Sequence, residues 1–199
     1  MYTIPRRALV SRFYSPPKRD RDIRRLILLR HAKTERDAPS GKDQDRRLDE
    51  RGQHDGAEMG RWLALHDYRP DLVLVSTATR TQESWELLRA AMPAMRVKHL
   101  PALYGADPSE LLRIIHSVAD ADPQCLLILA HNPGLHELAL GLIASGDPAG
   151  RQALANNLPT AGVAVIDFKI DNWEKVGFRT GRLERFASPK LLREGSEGA

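Results

Sequence analysis

Apolar positions in this chain gather in short uninterrupted runs instead of alternating singly with polar ones. LILL at 26–29, LVLV within DLVLV at 71–75 and CLLILA at 125–130 are the clearest. A run that is apolar on both faces is the pattern of a strand covered on both sides. AGVAVIDF at 161–168 reads as a late strand and MRVKHL at 95–100 as a short edge strand. WEKVGFRT at 173–180 is expected to pair beside the late strand.

Between the runs the spacing becomes helical. Ala57, Met59, Trp62, Leu63 and Leu65 form one apolar stripe in DERGQHDGAEMGRWLALHD, with Asp49 placed as its cap. Ser76 and Thr77 are placed to cap a helix starting near Ala78. Pro108 opens a helix over PSELLRIIHSVADA, and GLHELALGLIAS at 134–145 reads as another, with Asn132 as cap and Pro133 at its first position. Strands alternating with helices predict an α/β three-layer sandwich: a mostly parallel central sheet with helices on both faces. One domain is expected over residues 23–185. A basic tail, 1–22, broken by Pro16 and Pro17, would precede it, and a second tail, 186–199, would follow.

Composition narrows this picture. The chain has 199 residues, 42% hydrophobic and 28% charged, which provides a core and excludes a disordered chain. The net charge of +4 owes much to Arg6, Arg7, Arg12, Lys18, Arg19, Arg21, Arg24 and Arg25, opposed locally only by Asp20 and Asp22. The basic stretch lacks interleaved aromatics and is read as a solvated tail, so no nucleic-acid partner is expected. The single cysteine, Cys125, excludes an intramolecular disulfide and a Cys-rich zinc site and fits a reducing, cytoplasmic setting. No apolar run approaches the roughly 20 residues of a membrane span, so no membrane partner is expected. The first twenty residues lack the apolar segment of a secretory signal, although their Arg and Ser content and scarcity of acid are shared with organelle presequences.

In sheets of this type ligands sit beyond the carboxyl ends of the strands. Arg30 and His31 follow the first strand, Arg80 lies one helical turn after the second long strand, and His131 follows CLLILA. An arginine fork matches phosphate oxygens, and a neutral imidazole is a nucleophile at ordinary pH. Two of each at three strand exits suit phosphoryl transfer to a histidine. His131 would also stand beside a helix N-terminus, which favours an anion.

LLRHAKTE, DRRLDERG, LVLVSTATRTQES, LLILAHNPGL and LPTAGVAVIDF, in that order over residues 24–168, resemble the histidine phosphatase superfamily, and most closely its SixA-type branch of phosphohistidine phosphatases. GRLERFASPKLL is similar to the ending of some SixA-like proteins. The resemblance implies a phosphoglycerate mutase-like fold and a phosphatase acting through a phosphohistidine intermediate. It makes His31 the nucleophile, with Arg30, Arg80 and His131 holding the phosphoryl oxygens and Arg46 and Asn132 assisting in substrate binding. It implies no metal and no cofactor, because arginines supply the positive charge. The partner would be a phosphohistidine-containing protein or a small phosphorylated molecule.

The chain departs from the common family pattern in two places: Ala32 stands where Arg-His-Gly is usual, and TQES follows Arg80. No dedicated proton donor stands out. Glu35, Glu83, Asp107 and Glu110 are candidates, each read more simply as a solvated loop or helix charge. An alkoxide leaving group, with a conjugate acid near that of water (pKa about 16), needs such a donor. An imidazole, with a conjugate acid near 6.5, needs far less help. Two rival functions stay open: a phosphate-ester phosphatase or mutase with a working acid, and a non-catalytic phosphate-binding regulatory module.

Overall fold

The computed structural model describes residues 23–92 and 95–196; the expected basic tail at 1–22 lies outside them. The elements are β1 Ile23–Arg30, α1 Glu50–Leu65, β2 Leu72–Ser76, α2 Thr79–Arg89, β3 Arg96–Leu100, α3 Pro108–His116, β4 Cys125–Ala130, α4 Gly134–Leu142, β5 Ile143–Gly146, α5 Pro148–Asn156, β6 Val163–Lys169, β7 Gly181–Ala187 and α6 Pro189–Ser196.

The seven strands form one sheet in the order β3-β2-β4-β1-β6-β7-β5. β1, β4, β2 and β3 pair in parallel, and β5 pairs in parallel with β7. β6 runs antiparallel to both of its neighbours, β1 and β7. Successive residues of β1 serve opposite layers, as strand geometry requires. Leu26 and Leu28 join a buried cluster with Leu111 and Ile115 of α3 and Leu135 and Leu138 of α4. Ile27 and Leu29 join another with Met59 and Leu63 of α1 and Trp85 and Leu88 of α2. Both faces of the sheet are thus covered, and each fully buried leucine contributes about 1.5–3 kcal/mol over an exposed one.

Local signals place most helix starts. The Asp49 carboxylate accepts from the Gly52 amide at 2.7 Å and caps α1. Pro108 opens α3 behind an Asp107–Glu110 capping box. Other expectations need correction. Leu65 is 84% exposed, outside the stripe that packs. The helix expected over 134–145 stops at Leu142, because the next four residues pair with β7. WEKVGFRT is not a strand: Trp173–Lys175 forms one 3-10 turn whose buried indole donates to the Pro123 carbonyl at 2.8 Å. The partner of β6 is β7, GRLERFA. The boundary at 185 also moves. β7 continues to Ala187, and α6 packs on α1, where Arg193 bonds Asp55 at 2.9 Å and Glu58 at 3.0 Å. The expected C-terminal tail is therefore part of the folded body through residue 196.

Candidate active site

The register of the parallel strands brings the histidines together. Arg30 of β1 lies opposite Ala130 of β4, so His31 and His131 leave the sheet at the same height. The His31 amide donates to the Ala130 carbonyl at 3.2 Å, and the two ring centroids are 5.3 Å apart. β2, on the other side of β4, ends at Ser76, whose hydroxyl lies 2.8 Å from His131 Nε2. Ser76 therefore orients a histidine and does not cap α2, whose N-cap is Ala78 without a side-chain bond. The first turn of α2 carries Arg80. Its carbonyl accepts from Ser84 Oγ at 2.6 Å, and that same oxygen accepts from the Ala32 amide at 2.9 Å, tying the helix to the chain just past His31. Ala32 is not among the residues with positive φ, so its side chain costs nothing there. Gly52, in the DERG motif, is required: a Cβ would collide with the Lys33 carbonyl.

His31, Arg80 and His131 are buried, at 8%, 6% and 7% exposure. His31 Nδ1 lies 2.7 Å from the Ala32 carbonyl oxygen, an acceptor, so Nδ1 bears the proton and Nε2 carries the lone pair. Burial pushes the His31 pKa down to about 3, with His131, Arg80 and Arg30 adding in the same direction against the Ala32 hydrogen bond. Burial followed by Arg80 lowers His131 to about 4. Both rings are neutral at physiological pH. Arg30 donates from Nη1 to the Leu158 carbonyl at 3.0 Å; burial and then Arg80 lower its pKa. Asn132 donates to that same carbonyl at 2.9 Å and does not cap α4, which begins with Pro133 as its N-cap. Among the described residues the buried side-chain polar atoms without a partner are Arg30 Nε, His131 Nδ1 and Asn132 Oδ1, and they belong to this one cluster.

Arg80 is held by the loop between β1 and α1. Its Nη1 donates to the Asp43 carbonyl at 2.7 Å and its Nη2 to Asp43 Oδ2 at 3.0 Å. Tyr104 donates to the same Oδ2 at 2.8 Å, lies edge-on to His131 at 5.4 Å and sits under the Arg80 guanidinium at 5.6 Å. Arg46 bonds Asp43 Oδ1 at 3.0 Å, the Glu35 carbonyl and Thr34 Oγ1. Arg46 and Arg80 thus share the Asp43 carboxylate, one on each oxygen. Hydrogen bonds from Arg46 and then Tyr104 hold the Asp43 carboxyl down at about 2. Nothing in the sequence singles out Ser84, Tyr104 or Asp43 for the site: Ser76 reads there as a helix cap, and Asp43 sits in a loop with many interchangeable charges.

Three of the four candidate acids have other partners. Glu83 accepts from Arg47 and from the Leu48 amide, both at 2.7 Å. Asp107 and Glu110 are used in the α3 capping box, and Glu35 is exposed. The arrangement can therefore bind a phosphoryl group between two guanidiniums and His131, with a lone pair on His31 below it.

Comparison with known proteins agrees with this geometry. Residues 26–111 match the model of the histidine phosphatase superfamily, branch 1. An uncharacterized protein of Mycobacterium leprae is 31% identical over 168 residues, covering 81% of this chain and all of that one. A crystal structure from Agrobacterium tumefaciens that carries the name phosphohistidine phosphatase SixA is 30% identical, with a TM-score of 0.70, covering 83% of this chain and 98% of that one. A mycobacterial glucosyl-3-phosphoglycerate phosphatase shares the fold alone, at 16% identity and a TM-score of 0.56, covering 81% of this chain and 97% of that one. With these matches and four chemically able side chains converging at three strand exits, the chain belongs to the histidine phosphatase superfamily.

Proposed function

We propose that the protein removes phosphoryl groups from phosphohistidine in a partner protein, by way of a phosphohistidine formed on His31. His31 Nε2 attacks phosphorus in line; the bond from phosphorus to the leaving nitrogen breaks, and its electron pair stays on that nitrogen. Water then forms a new O–P bond as the P–Nε2 bond breaks, releasing phosphate. Arg30, Arg80 and His131 Nδ1 hold the equatorial oxygens, and Asn132 braces Arg30 through Leu158. The observation that carries the reading is the His31 ring itself: Nδ1 is held by the Ala32 carbonyl, and burial keeps the lone pair on Nε2 unprotonated.

The substrate class follows from the leaving group. With Glu83, Asp107 and Glu110 tied into caps and ion pairs, the site favours a leaving group that departs without a strong acid, as an imidazole does. A cytoplasmic setting belongs to the same reading. The described residues include no helix long and apolar enough to cross a membrane.

The test is to incubate the protein with ³²P-labelled phosphohistidine substrate and quench in alkali. An acid-labile phosphoenzyme is expected in the wild type and none in His31→Ala. Label retained in that variant refutes the assignment. A substrate panel of phosphohistidine, aryl phosphate and sugar phosphate separates the proposed substrate from small phosphate esters.

A further inference from the structure

The pocket has a direction. His31 at 8%, Arg80 at 6% and His131 at 7% exposure form its buried end, Tyr104 is 37% exposed, and the Asp43 side chain is 53% exposed. A phosphoryl group attacked by His31 therefore has its leaving group on the side of Tyr104 and Asp43, since in-line displacement expels it opposite the nucleophile.

We propose that Asp43 is a specificity-determining residue: its carboxylate, at the outlet of the phosphoryl pocket, selects leaving groups that carry an N–H or a positive charge and disfavours anionic ones. This rests on the phosphatase reading above and deepens it. Three contacts fix the carboxylate in place. Oδ2 accepts from Arg80 Nη2 at 3.0 Å and from the Tyr104 hydroxyl at 2.8 Å, while Oδ1 accepts from Arg46 Nη1 at 3.0 Å on the loop side. The Asp43 carbonyl takes Arg80 Nη1. One hydrogen on each terminal nitrogen of Arg80 is thereby engaged, and the second on each remains for a phosphoryl oxygen. The carboxyl is ionised throughout the working range.

The chemistry suits phosphohistidine. Its ring keeps a second nitrogen that accepts a proton, and a nearby carboxylate holds that proton on the ring. The protonated ring then departs as neutral imidazole, with the P–N electron pair on the departing nitrogen, instead of as an imidazolide anion. The ester oxygen of a sugar phosphate carries no proton for the same carboxylate to hold, and a phosphorylated hydroxy acid is repelled by it.

The experiment compares wild type with Asp43→Asn on phosphohistidine, phenyl phosphate and 4-carboxyphenyl phosphate. Relative to phenyl phosphate, kcat/KM for phosphohistidine should fall about five- to ten-fold in the variant, and that for the carboxylated ester should rise several-fold. A loss common to all three, with ratios unchanged, means that Asp43 only positions Arg80 and overturns the proposal. Asp43→Ser gives the same comparison if the amide variant does not fold. A binding arm needs no turnover. Calorimetry with 4-(aminomethyl)benzylphosphonate and 4-carboxybenzylphosphonate should show the wild type preferring the ammonium compound about five- to ten-fold. Equal affinities overturn the selectivity, whereas absence of a trapped phosphoenzyme with this preference intact overturns only the catalytic reading.

Discussion

β1 carries arginine at both ends, and the two ends are treated oppositely. Near its start, Arg25 meets Asp167 through two parallel bonds of 2.7 and 2.6 Å, and Asp167, chiefly by hydrogen bonding, raises its pKa. Beside it, Arg24 is paired with Asp122 at 3.0 Å. At the other end, Arg30 bonds a backbone carbonyl, its Nε has no partner, and burial with Arg80 lowers its pKa. The same residue type on the same strand is thus a structural tie at one tip and an under-compensated cation at the other. An under-compensated buried charge weakens a fold, and a bound anion reverses that cost. The difference teaches which end is built for a ligand.

The strongest way to break this comparison is to exchange the outcomes. Arg30→Met should lower kcat/KM by about 10²–10³-fold, the scale of losing one preorganised donor, while thermal stability stays level or rises. Arg25→Met should do the reverse: activity within two-fold, and stability lower by about 2–3 kcal/mol in chemical denaturation, because Asp167 loses its charged partner. Similar inactivation by both substitutions would erase the contrast.

A sharper test of the site end is titration of the ring nitrogens by ¹⁵N NMR. His31 and His131, lowered to about 3 and about 4, should stay neutral from pH 8 down to pH 5, with His31 showing its proton on Nδ1. The sign is that of a depressed base: the unprotonated, nucleophilic form persists as pH falls past the ordinary histidine value. A midpoint near 6.5 for His31 would contradict it. The smallest effect is expected for Tyr104→Phe, which keeps the ring contacts with His131 and Arg80 but removes the donor to Asp43. KM should rise about two- to five-fold with kcat nearly unchanged, the weight of one exposed hydrogen bond.

Much of the architecture could be read from the chain because the inner strands are apolar on both faces. LILL, LVLV and CLLILA admit few readings, and the chemistry directly after each of them was visible for the same reason. The outer edge was harder to read. IASG continues the apolar spacing of α4, and only its pairing with a distant β7 makes it a strand. Trp173 reads as part of a strand but lies in a 3-10 turn, its buried indole tied to the distant Pro123 carbonyl. The second rank of the site was hidden for another cause. Asp43 is one of several acids in a polar loop, and nothing local announces that its partners are 37 and 61 residues away.

The parallel pairing of β1 with β4 has a consequence of its own. Because LILL of β1 and CLLILA of β4 are apolar on both faces, sliding one past the other by a single step would still bury oily side chains along that stretch, and burial there would scarcely object. Alignment must be enforced by polar pegs at the ends: the Arg24 guanidinium on Asp122 at 3.0 Å, the Arg25 amide on the Gln124 carbonyl at 2.9 Å, and the His31 amide on the Ala130 carbonyl at 3.2 Å. One step is about 3.3 Å and turns a side chain to the opposite face. Deleting a single residue from CLLILA should accordingly yield a protein that still folds yet is catalytically silent, with its imidazole at position 131 facing the wrong layer.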